Sequence, residues 1–124
     1  MKDIKDRKDI EFLVDTFYQK AREDELIQHF FNEVVSINWD HHMPRIYGFW
    51  ESVLLGNYTF QGNPMGVHIQ LNKKSPMKKI HFDRWLELWR NTVNEHFEGV
   101  KANEAIERAQ NIAGLMQFKV ESSH

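Results

Sequence analysis

The chain contains no cysteine among its 124 residues. That one absence removes disulfides, thiolate zinc sites, iron–sulfur clusters and cysteine nucleophiles together. Glycine and proline are scarce, six and three, and the scattered glycines form neither a GxGxxG nor a GxxxxGK phosphate loop. Neither sign of charge dominates, with 16 Lys and Arg against 18 Asp and Glu. Without a basic field, no binding to nucleic acid is expected. No run of about 18 apolar residues occurs, so no membrane span is expected. Met1 to Ile10 are mostly charged, which predicts no signal peptide and a cytoplasmic location.

What the chain does have is ring-bearing side chains: nine Phe, four Trp and three Tyr, beside five Met and seven His. Aromatics bury large areas and suit a small core, and they equally suit the walls of a flat apolar cofactor. With 41% apolar residues over this length, a single domain spanning 1–124 is expected.

Helical periodicity is strong in four places and strand alternation is convincing nowhere, so the expected fold class is all-α. Ile10, Leu13, Val14, Phe17, Tyr18 and Ala21 form one amphipathic stripe. A polar turn, Arg22-Glu23-Asp24, leads to a shorter helical piece ending near Phe30-Phe31. The next stripe runs His42, Ile46, Phe49, Trp50, Val53, Leu54 and stops at Gly56, an expected helix end. Pro44 is tolerated only in a first turn, so this helix is expected to begin near His41 or His42. Residues 56–64 read as loop, and Pro64 can open a short helix through His68 to Leu71. Phe82, Trp85, Leu86, Trp89, Val93 and Phe97 mark a long helix from Lys79 to near Gly99. A last helix is expected from about Ala102 to Val120, with Ala105, Ile106, Ala109, Ile112, Ala113 and Met116 inward.

Three polar residues fall on faces that should be apolar: Tyr18, His42 and Trp85. Taken singly, each reads as ordinary core or a helix-start residue. His68 differs. It lies in a segment too short for a stable isolated helix, walled by Met65, Val67, Ile69 and Leu71. That setting suits a neutral imidazole offered to a metal. One histidine cannot hold zinc or non-haem iron, which need three or more protein ligands. It can hold haem iron, where the porphyrin supplies four nitrogens. A carboxylate-bridged di-iron pair would want Glu-x-x-His motifs. The residues three before His29, His42, His68, His81 and His96 are Leu26, Trp39, Met65, Lys78 and Val93, so none supplies it. The basic connection around Lys73-Lys74 and Lys78-Lys79 reads as solvated, though it could face haem propionates or a reductase.

Taken in order, Phe17-Tyr18, Phe30-Phe31, Trp39-Asp-His-His42-Met-Pro-Arg-Ile46-Tyr-Gly-Phe49-Trp50, Gly62-Asn-Pro-Met-Gly-Val-His68 and His81-Phe82-Asp83-Arg84-Trp85 resemble the truncated, two-over-two haemoglobins of group III. The likeness runs from about Ile10 to Met116, and the Gly-Gly pairs of the other groups are missing. The resemblance implies a two-over-two helical sandwich around one haem b. It implies His68 as the proximal iron ligand, Tyr18 as the distal tyrosine, and His42 as the histidine at the pocket mouth. Ile46 would form an apolar wall and Trp85 would be the distal tryptophan. Phe31 would stack on the porphyrin, and Arg45, pointing outward beside Ile46, could pair with a propionate.

The expected activity is reversible binding of O2, with NO and CO, at a pentacoordinate iron. On the same site, NO dioxygenation or peroxide chemistry with an external reductase is the catalytic alternative. A cofactor-free helical interaction module is the alternative of another class.

Overall fold

The computed structural model describes residues 1–28, 39–56 and 78–122, and within them the side chains of 1–28, 42–56 and 78–118. Four helices account for most of this: α1 (Arg7–Glu23), α2 (Trp39–Leu55), α3 (Lys79–His96) and α4 (Val100–Ser122). Each packs chiefly on two others, α1 on α2 and α3, and α4 on α3 and α2. The arrangement is all-α among the described residues, as the periodicity predicts.

Helix α1 forms where the sequence predicts it. Asp6 caps its start, accepting the Asp9 backbone N–H at 3.1 Å, while Lys20 and Arg22 sit in the last turn against the negative end of the helix dipole. Its predicted stripe, Ile10 through Ala21, is buried throughout.

Helix α2 begins at Trp39, earlier than the proline rule suggests. Pro44 is therefore its sixth residue and cannot donate to the carbonyl of Asp40, so one early helical bond is missing. The proline ring itself is exposed. Gly56, at φ 75°, ends the helix in the left-handed region that glycine enters without steric cost.

Helix α3 starts with the Lys78 backbone N–H donating to His81 Nδ1 at 2.8 Å. It ends with the Phe97 N–H donating to the Val93 carbonyl at 2.8 Å. Helix α4 begins two residues before the expected Ala102, because its cap comes from far away in sequence. Asp3 accepts the N–H of Lys101 at 2.9 Å and of Ala102 at 2.8 Å. Gly99 (φ 132°) makes this possible, since a Cβ there would lie 2.7 Å from the Asp3 carboxylate carbon. Beside this cap Ile4 enters the core at 2% exposure, and Glu98 N–H donates to the Lys2 carbonyl at 3.0 Å.

The core is aromatic where the helices meet. Trp50 of α2 stacks on Trp89 of α3 at 4.6 Å with the rings 20° from parallel. The Trp89 indole N–H donates to the Ala105 carbonyl of α4 at 3.1 Å, and Phe17 of α1 meets Trp89 edge-on at 5.2 Å.

Beyond Gln28 the short helical piece expected to end at Phe30-Phe31 lies outside the described residues, as does the segment bearing His68. Its first turn is described: Gln28 N–H donates to the Asp24 carbonyl at 2.8 Å.

Candidate functional site

Tyr18 lies on the buried face of α1, one position from Phe17 and 7% exposed. Burial pushes its phenol well above the usual value, so the O–H keeps its proton and remains a donor across the neutral range. His42, in the first turns of α2, is half-buried and presents its ring to the edge of Tyr18 at 5.9 Å and 90°. Ile46, one turn further on the same face, is 6% exposed.

From the opposite helix comes Trp85. Phe17 joins the two sides, with its ring 5.2 Å from Tyr18 and 5.7 Å from Trp85, edge-on in both contacts. The Trp85 Nε1 is closed off from solvent and has no hydrogen-bond partner among the described residues. An indole nitrogen can only donate, and leaving a buried donor unmet costs about 1–3 kcal/mol. Such a donor persists where something else accepts from it.

Tyr18 thus meets His42, Phe17 touches both Tyr18 and Trp85, and Ile46 follows His42 by one turn. Arg45 is exposed, beside Ile46 but turned away from the core. His68 and Phe31 lie outside the described residues.

Two features escaped the sequence reading. Phe17 reads there as one core residue among several, yet its ring touches both Tyr18 and Trp85. Asp24 reads as a polar turn residue, yet its carboxylate is bound by Arg84, 60 positions away, with Nε at 2.8 Å and Nη2 at 2.7 Å. The stripe position of Phe17 is a usable signal for the first. Nothing local signals the second.

Comparison with known proteins points one way. The bacterial-like globin family model matches residues 3–118. The group 3 truncated hemoglobin ctb of Campylobacter jejuni is 31% identical over 108 residues, covering 85% of this chain and 83% of that protein. The crystal structure of group III truncated hemoglobin from Campylobacter jejuni superposes with a TM-score of 0.80 at 28% identity, over 97% of this chain and 95% of its own. A fold shared almost end to end, with the family's sequence pattern running through it, leaves one assignment: the chain belongs to the bacterial-like globins, as a truncated haemoglobin of group III.

Proposed function

We propose that this chain holds one haem b through His68 and reversibly binds O2, and also NO and CO, in the space lined by Tyr18, His42, Ile46 and Trp85. The observation that carries this reading is the buried Trp85 indole N–H with no partner among the described residues. In a cofactor-free core of this density, such a group would be expected to find a carbonyl, as Trp89 does. A donor kept dry and without a partner among the described residues, sharing Phe17 with a protonated buried tyrosine, suits a site that receives a small acceptor from outside the chain. The residues present therefore fit a haem with a gas ligand.

When bound, haem would supply an iron held by four porphyrin nitrogens, able to take a protein ligand and a gas. The chain's own part is to hold and to select. The His68 imidazole, neutral, would be the protein ligand. Phe31 would give the porphyrin an aromatic face, and the exposed Arg45 a cation for a propionate. Tyr18 O–H and Trp85 N–H donate toward the ligand space, favouring an acceptor that gains negative charge on binding, as O2 does, over CO, which gains little. His42 stands at the mouth, and Ile46 keeps that side apolar.

The test begins with the purified protein, which should show a Soret band. His68→Ala should then yield apoprotein or loosely held haem with an altered ferrous spectrum. Full haem retention with unchanged spectra in that variant would overturn His68 as the ligand.

A further inference from the structure

We infer that the Asp24–Arg84 ion pair is a positioning latch for Trp85, setting where its indole N–H points and so how long O2 is held. The inference rests on the gas-binding reading above.

Asp24 is used on every side. Its backbone N–H donates to the Ala21 carbonyl at 3.3 Å, ending α1. One carboxylate oxygen accepts the N–H of Leu26 at 3.1 Å and of Ile27 at 3.3 Å, starting the turn that follows. The other oxygen takes both donors of the Arg84 fork. The carboxylate is only 7% exposed. Four donors on one buried acid fix it in place, and the guanidinium meets it with a planar pair of N–H groups rather than a point charge. Arg84 is braced on its far side by Glu87.

The location gives the pair its role. Arg84 directly precedes Trp85, so whatever fixes the Arg84 side chain fixes the rotation of α3 where that indole sits. Asp24 stands six residues after Tyr18 on the other wall. The pair therefore ties together the two helices that carry the two ligand donors, at the edge of the site. It also anchors the turn from which the chain leaves toward Phe31.

A second ion pair links the same two helices. Lys20 Nζ meets Glu95 Oε2 at 2.7 Å, with side chains 31% and 53% exposed. It joins α1 to α3 without touching either donor's neighbour, and so serves as an internal control.

The test uses the haem-loaded protein. Asp24→Asn keeps an oxygen for the Leu26 and Ile27 N–H groups but removes the charged acceptor from Arg84. O2 release should then quicken about threefold, a partial loss of one charge-assisted bond, with CO release little changed. Lys20→Gln should leave both rates alone. In the CO-saturated ferrous protein labelled with 15N-tryptophan, the Trp85 indole resonance should move in Asp24→Asn while that of Trp89 stays. Arg84→Gln, which leaves the Asp24 backbone caps intact, should repeat both effects if Asp24→Asn folds poorly. An unmoved Trp85 resonance, an unchanged O2 rate, or an equal response to Lys20→Gln each overturns the latch alone. A wild-type protein without a Soret band overturns the haem reading and the latch with it.

Discussion

Trp85 and Trp89 stand one helical turn apart on α3, and both meet Phe17 edge-on, at 5.7 and 5.2 Å. Their indole N–H groups nevertheless meet opposite fates. Trp89 is 1% exposed, stacked on Trp50 and bonded to the Ala105 carbonyl. Trp85 is half-buried, yet its nitrogen is sealed and unmet among the described residues. The same residue type on the same stripe thus does two jobs. At one end the helices close on each other and the indole N–H is bonded. At the other they leave a donor waiting. On the proposed function both are used: a rigid end that fixes helix spacing, and an end whose hydrogen-bonding a bound gas would complete.

The comparison predicts opposite responses to parallel substitutions. The largest effect belongs to the closed end. Trp89→Ala empties a fully packed position shared by all four helices and should lower unfolding free energy by about 3–5 kcal/mol. Chemical denaturation measures it; a loss under 1 kcal/mol would mean the stack with Trp50 is dispensable.

At the open end, Trp85→Phe and Tyr18→Phe should each quicken O2 release about tenfold or more, since a bond to a partly charged acceptor is worth about 1.5–3 kcal/mol. CO release should change far less. Because both donors share one ligand, the double variant should fall short of the product of the two effects. Equal acceleration of O2 and CO by Trp85→Phe would show a steric change instead, and would erase the distinction between the two tryptophans.

The conservative pair sharpens the contrast further. Trp89→Phe loses a made hydrogen bond and should cost about 1 kcal/mol beyond its volume change. Trp85→Phe removes an unmet donor, so the apoprotein should lose less stability than Trp89→Phe does, measured on the same denaturation curves. The reverse order would mean that Trp85 is the better-bonded residue.

The smallest effect lies at the cap. Burial pushes the Asp3 carboxyl up, but the N–H groups of Lys101, Ala102 and Ile4 outweigh it and hold the carboxyl below its ordinary value. A carboxylate depressed in the folded state contributes its full stability above the unfolded value and loses it as pH falls through the folded one. Asp3→Asn should therefore cost about 1 kcal/mol or less near neutrality. It should also flatten the acid limb of stability below about pH 4. An unchanged acid limb would show that Asp3 does not titrate with folding.

Much of the frame was legible from periodicity. The stripes of α1, α3 and α4 face inward as the spacing of Ile10, Trp89 and Ala109 requires, because burial of an apolar face is a local, periodic signal. The start of α2 was not, since the proline rule weighs one lost bond and ignores what else favours an earlier turn. Asp3 at α4 and Asp24 at Arg84 were invisible for a different reason: their partners lie 98 and 60 residues away, and no pattern along the chain encodes them. The site was legible only as a set. Tyr18, His42 and Trp85 each read as ordinary core or a helix-start residue taken singly, and family resemblance supplied the grouping; the structure shows Phe17 touching Tyr18 and Trp85, and His42 touching Tyr18. The proposed ligand His68 and the stacking Phe31 lie outside the described residues.

The Asp3 cap also bears on how the chain assembles. Its carboxylate is synthesised 98 residues ahead of the first N–H group it serves. Until Lys101 and Ala102 exist, the acid has nothing to cap and Ile4 has no pocket. Joining ends so far apart carries a loop-closure cost that rises only slowly with length, but it must be met before the contact repays it. The first turn of α4 should therefore settle late, after α1 and α3 have paired. At this one seam a residue made early would settle late, because residue 3 completes a helix that begins at residue 100.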